Sequence, residues 1–219
     1  MSNAVTLYGA DYSVYTRIAR LALEEKGVAY DFEPVDIFAH GAALEEYLLR
    51  HPFSKIPAFE HEDFPLYEAG AIARYVDEAF DGSALQPDSP RARARMNQVI
   101  SILDSYGYRA LVWDVFFERV RVPQKGGAAD EGKIAAGLDM SRKCLRALED
   151  IRGDAPWLAG DALSLADCHA YAMFVLFRMA QDGEDLFAAE GGLGEWYNVF
   201  RARRSAAATR HPMEQEESE

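Results

Sequence analysis

Cysteine is nearly absent. Cys144 and Cys168 are the two thiols in 219 residues, and their separation excludes a Cys-x-x-Cys redox pair and a cysteine-rich metal site, leaving buried free thiols as the expectation. Long apolar runs are missing as well: none approaches the about 18 residues that suggest a bilayer span, and the first residues lack the basic-then-apolar order of a secretory signal. A soluble, cytoplasmic protein is expected. Positive charge is scarce, with 23 Lys and Arg against 36 Asp and Glu, a net charge of -13 and a pI near 4.8. That balance argues against nucleic acid or an anionic membrane as the main partner, because both need a concentrated basic surface. His40, His51, His61, His169 and His211 show neither mutual i,i+4 spacing nor the nearby acid pairs typical of metal motifs, so no metal is expected. What remains is 49% hydrophobic, enough for two modest cores.

The periodicities divide the chain. Val5 to Tyr8 is β-prone, and Val14, Ile18, Leu21 and Ala22 repeat at helical spacing up to a stop at Gly27. Val28, Tyr30 and Phe32 alternate as a second strand; Leu44, Tyr47 and Leu48 mark a short helix. Ala58 to His61 and Phe64 to Tyr67 flank Glu62-Asp63 as a hairpin. The βαβ start implies parallel pairing and the hairpin adds antiparallel strands, giving a small mixed sheet with helices. Residues 81–90 are rich in turn formers and read as a linker. Beyond it the pattern is helical: Arg91 to Val122 stopped by Pro123, Asp130 to Arg152, and a capping box at Ser164-Leu165-Ala166-Asp167 that opens a buried helix. The expected domains are 1–80 (α/β), 91–208 (all-helical) and a frayed acidic tail over 209–219.

Two segments carry chemistry. In the first, Pro52 to Phe59 followed by Phe64 to Ala69, proline fixes φ at a strand start, so Ile56 can offer its backbone N–H and C=O to an extended ligand. The helix after Glu68 would attract a carboxylate with its free N–H groups while Glu68 attracts an ammonium, which suits an α-amino acid head group. Lys55 is a cation in a segment, residues 1–80, with 14 acids and 6 bases; it either holds a second carboxylate or is a solvated loop lysine. In the second segment, Gly9 to Arg17, Ser13 sits between strand and helix, where an ordinary N-cap is the competing reading.

These residues resemble the glutathione S-transferase family over most of the chain. Residues 5–80 are similar to the thioredoxin-like domain of its serine-type classes, phi and theta; the phi string Asn-Pro-Phe-Gly-Gln-Val-Pro stands here as His51-Pro52-Phe53-Ser54-Lys55-Ile56-Pro57. Trp157 to Asp161 and Leu163 to Asp167 resemble the signature of the family's helical domain. The resemblance implies an α/β thioredoxin-like domain followed by an all-helical one, glutathione as co-substrate, and Ser13 as the donor to its sulfur, with Tyr8 and Tyr12 as competitors. It implies a cis Pro57, a glycine carboxylate at Lys55 and, more weakly, at His40, cysteinyl pairing at Ile56, and the γ-glutamyl head at Glu68 and Ala69. The family's Glu-Ser step is Glu68-Ala69 here, which removes one hydroxyl.

The acceptor pocket implied by the resemblance draws on Tyr12, Tyr106, Arg109 and Trp113, from an aromatic stripe Tyr106, Ala110, Trp113, Phe117 for which core packing is the rival use. Phe53 is either a key into a partner subunit of a homodimer or a core residue. The expected reaction is conjugation of glutathione to a small hydrophobic electrophile in detoxification. The alternatives are a noncatalytic binding protein on the same scaffold and a glutathione-dependent reductase or isomerase; residues 9–17 contain no cysteine for disulfide exchange.

Overall fold

The computed structural model describes residues 5–38, 40 and 42–216. Contacts divide the chain into two units, 1–84 with 203–219, and 85–202.

The first unit is built on a four-stranded sheet in the order β2-β1-β3-β4. Strand β1 (Val5–Gly9) alternates buried Val5, Leu7 and Gly9 with half-buried Thr6 and Tyr8, the period-2 pattern of a strand with one face on a core. It pairs in parallel with β2 (Asp31–Pro34) and antiparallel with β3 (Ala58–His61), which forms the hairpin with β4 (Phe64–Tyr67). The mixed sheet is as expected, but β2 begins three residues later than the alternation of Val28, Tyr30 and Phe32 suggests. Gly27, at φ 68°, closes helix α1 (Val14–Lys26), and the chain comes alongside β1 only at Asp31, opposite Thr6. Tyr30 instead sends its hydroxyl to Arg20 and Glu24 on α1.

Helix α1 buries Val14, Ile18, Leu21 and Ala22, the predicted face, and packs beside α3 (Ala69–Ala79). Lys26 ties the pair: its ammonium donates to the Asp77 carbonyl at 3.0 Å and lies 3.2 Å from the Asp77 carboxylate. Helix α2 (Ala42–Leu48) precedes the proline corner.

The segment from Arg203 onward, expected to finish the helical domain and then fray, packs instead with the first unit. Helix α10 (Arg204–Ala208) lies on α1. The buried Arg17 guanidinium reaches Glu214 at 2.7 Å, Arg203 and Ser205 both donate to Glu25, and Arg20 donates to the Ala208 carbonyl. A buried cation needs a paired anion, and Glu214, on the short helix α11 (Pro212–Glu216), supplies it. Glu217 and Glu219 lie outside the described residues.

The second unit is helical. Helix α4 (Pro90–Ile102) starts on a Ser89 cap with Pro90 at its first position, the favoured place for proline. It runs into a wide π-helix (Leu103–Arg121) and a last short turn, α5 (Val122–Gln124), so Pro123 is accommodated inside that turn and the helix ends one residue after it. The i→i+5 winding re-sorts the side chains: Arg109 meets Asp114 at 2.8 Å, and the ring of Tyr108 meets that of Trp113. The stripe expected from 3,4 spacing does not form one face, for Ala110 is buried while Tyr106 and Trp113 are exposed.

Helix α6 (Glu131–Arg152) is capped by Asp130. Helix α7 (Leu165–Met179) is buried from Leu165 to Phe177, as a helix apolar on every side must be. Its capping box forms as predicted. The fully buried Asp167 carboxylate accepts from the Ser164 N–H and hydroxyl, the Leu158 N–H and the Trp196 indole, at 2.7 to 2.9 Å. Burial pushes this carboxyl up and the four donors hold it down, burial being the larger effect. Helices α8 (Gln181–Glu190) and α9 (Gly194–Arg201) complete the unit. No helix among the described residues is long and apolar enough to cross a membrane.

Candidate active site

Ser13 is placed by the tight exit from β1. Gly9 passes so close to Thr16 that a Cβ there would stand 2.5 Å from the threonine methyl, one of the uses that only glycine meets. The turn closes with the Ser13 N–H donating to the Ala10 carbonyl at 3.0 Å. Ser13 then caps α1, its extended backbone setting Oγ to accept from the Thr16 N–H at 3.2 Å. The N-cap reading is therefore correct, and it does not exclude the chemical one: a hydroxyl accepts through its lone pairs and donates through its proton. The side chain is half-buried beside the positive end of a 13-residue helix.

The proline corner comes next to this turn. The Ile56–Pro57 peptide is cis, as expected, and Ile56 is buried in one cluster with Ala10, Tyr47 and Ala58, against which Tyr8, Val35 and Ile37 pack. Ala10 belongs to the Ser13 turn, so the turn and the corner share a core. Tyr47 braces the corner from α2: its phenol, pushed up by burial, donates to the Lys55 carbonyl at 2.6 Å. Among the described residues Ile56 makes no backbone hydrogen bond, which leaves its N–H and C=O for an extended ligand. The Lys55 side chain is exposed.

The head-group end lies at the start of α3. Glu68 is exposed and adopts φ 73°, ψ 112°, a sparsely populated backbone state that costs on the order of 1–3 kcal/mol and recurs at ligand sites. Its carbonyl accepts from Ala71 and Ile72, while its side chain makes no cap and is left to solvent. Ala69 follows with its methyl buried, so the expected anion contact at this helix start is a backbone N–H.

The competing phenols are placed differently. Tyr8 donates to the Glu60 carboxylate at 2.7 Å beneath the Arg50 guanidinium, and burial together with Glu60 raises its pKa. Its proton is committed. Tyr12 is 46% exposed, and burial of part of its ring and the nearby Asp36 also raise its pKa. His40 is exposed on the loop before α2. Tyr106 and Trp113 are exposed on the π-helix of the second unit, and Arg109, also exposed, is engaged by Asp114.

Two residues of this region were not legible as site residues. Tyr47 reads as core in a short amphipathic helix, and only its hydroxyl contact reveals the brace. His51 reads as one of five scattered histidines. Its ring is buried 4.8 Å from that of Tyr67 and beside Phe53, which is itself exposed rather than in the core.

The profile of "Glutathione S-transferase, N-terminal domain" matches residues 7–84, and that of "Glutathione S-transferase, C-terminal domain" matches residues 131–199. Glutathione S-transferase 1 of Zea mays is 30% identical over 172 residues, spanning 78% of this chain and 80% of its own. Glutathione S-transferase F13 of Arabidopsis thaliana is 29% identical over 76% of this chain and 77% of its own. Among solved structures, glutathione S-transferase I from mais in complex with an atrazine glutathione conjugate superposes with a TM-score of 0.84 at 26% identity, covering 94% of this chain and 96% of that one. An apo glutathione S-transferase III gives 0.84 at 26% identity, covering 95% and 97%.

Proposed function

This chain belongs to the glutathione S-transferase family, and on that premise we propose how it works as a transferase: the thiol of glutathione loses its proton to solvent, and the Ser13 hydroxyl donates a hydrogen bond that holds the sulfur as the thiolate that attacks a small hydrophobic electrophile. Glutathione is the co-substrate. The observation that carries the reading is the shared cluster of Ala10 and Ile56, which joins the Ser13 turn to the cis-proline corner. Ile56 pairs with the cysteinyl backbone, Lys55 meets the glycine carboxylate, with His40 a further cation on that side, and Glu68 with the Ala69 N–H holds the γ-glutamyl head. The commitment of Tyr8 to Glu60 supports Ser13 over the phenol.

The energetics suffice. A free thiol ionises near pH 8.5 and is only a few per cent thiolate at neutral pH. Bringing it down about two units needs roughly 2.7 kcal/mol of preference for the anion. One charge-assisted hydrogen bond, worth about 1.5–3 kcal/mol, with the helix dipole beside it supplies that amount. A conjugation assay tests it: Ser13→Ala should cost about two orders of magnitude in kcat/KM with glutathione still bound, and undiminished turnover would sink the assignment.

The acceptor is the less specified partner. By resemblance to the family, Tyr12 on the first unit and Tyr106, Arg109 and Trp113 on the second are the side chains we propose as contacts for it; the atrazine conjugate bound by the mais relative favours an aromatic or alkyl electrophile. The protein is proposed to be a cytoplasmic homodimer acting in detoxification, with the exposed Phe53 as the key into the partner subunit. Fractionation that recovers it from membranes would contradict the location. A noncatalytic binder remains the second reading because of Ala69, and glutathione binding without turnover toward any electrophile would favour it.

A further inference from the structure

His51 opens the turn that leads into the cis-proline corner, and only 1% of its surface reaches solvent. Its Nδ1 is buried with no hydrogen-bond partner. Buried polar atoms are nearly always paired, and one that is not calls for a reason. The ring lies 4.8 Å from that of Tyr67, the residue that immediately precedes Glu68. The groups that face it can be named element by element: Glu68 at the start of α3, whose charge favours a protonated ring; Lys55 in the corner, whose charge disfavours it; and the phenols of Tyr47 on α2 and Tyr67 on β4. Burial outweighs the carboxylate and keeps the imidazole below its ordinary value. A contact with its own backbone carbonyl also favours the protonated ring, but burial is the larger effect, so at neutral pH the ring is uncharged.

We propose that His51 is a positioning residue for the amino end of glutathione: neutral, it leaves the Glu68 carboxylate to the incoming ammonium, and protonated, it draws that carboxylate to itself. The inference rests on the reading above in which Glu68 meets the γ-glutamyl head. Its direction follows from linkage. An ammonium bound to Glu68 cancels a charge that favours protonated His51, so ligand and proton oppose each other, and by reciprocity each weakens the other by the same factor.

Binding of S-methylglutathione, whose sulfur carries no ionisable proton, followed by calorimetry between about pH 7.5 and pH 5 tests this, since its head group keeps both ammonium and carboxylate across that range. Wild-type affinity should fall about fivefold or more on acidification, and that slope should vanish in His51→Gln and His51→Asn. In the wild type, the His51 ring resonances should titrate at lower pH with glutathione bound than without, a measurement that needs no variant to fold. A merely structural histidine would lower the melting temperature of both variants and leave the slope in place. An unchanged slope in the variants, or a His51 titration indifferent to glutathione, overturns the proposal. Tight but pH-independent binding overturns this proposal alone, whereas no binding at about pH 7.5 overturns the transferase reading with it.

Discussion

A serine that accepts a hydrogen bond from its helix still has a proton to give, and that duality governs Ser13. Its cap to Thr16 fixes Oγ in place, so Ser13→Ala should also destabilise the fold by about 0.5–2 kcal/mol. Activity lost beyond that fold-level cost belongs to the sulfur. Ala69 is the complementary case, a position where the chain lacks a group. Its N–H starts α3 and its methyl is buried, so Ala69→Ser adds a hydroxyl where the γ-glutamyl carboxylate is expected. One hydrogen bond, worth about 0.5–1.5 kcal/mol, should lower the KM for glutathione about two- to tenfold with kcat little changed. A KM that rises or stays fixed would place the head group elsewhere.

At the scale of elements, the strongest constraint is the polar knot beneath α7. Asp167 gathers four donors from three parts of the second unit, and removing it leaves the indole of Trp196 and the Leu158 and Ser164 N–H groups buried without an acceptor. Asp167→Ala should therefore cost about 3–5 kcal/mol in denaturant unfolding; a loss below about 1 kcal/mol would mean that water replaces the carboxylate. This box was legible because its determinants lie within four residues. So were α1, with its serine and glycine ends, and the β3–β4 hairpin. The late start of β2 was not, because it depends on where the chain meets β1. The π-helix was not either: 3,4 spacing reads as an ordinary helix, and nothing in Leu103–Arg121 announces i→i+5 winding. That winding is why Arg109 is tied to Asp114 and the aromatic stripe is divided. The candidate site was legible as a string of residue types, while the Tyr47 brace and the unpaired His51 nitrogen depend on packing across distant segments.

At the scale of the whole molecule, a chain carrying a net charge of -13 needs apolar contact to hold two copies together. Phe53, 66% exposed and packed edge-on to the ring of Tyr67, offers it. Sedimentation should read one species at about twice the 24.4 kDa chain mass, and Phe53→Ala should weaken it, since aromatic anchors dominate interface energetics. A wild-type monomer at micromolar concentration would contradict the dimer.

Ionisation of a bound thiol is read directly by the ultraviolet absorbance of the thiolate. With saturating glutathione, a pH titration of the wild type should show the bound sulfur ionising about two units below its free value near 8.5, and in Ser13→Ala it should return close to that value. Equal titrations in the two proteins, with glutathione bound in both, would show that the Ser13 hydroxyl does not hold the thiolate.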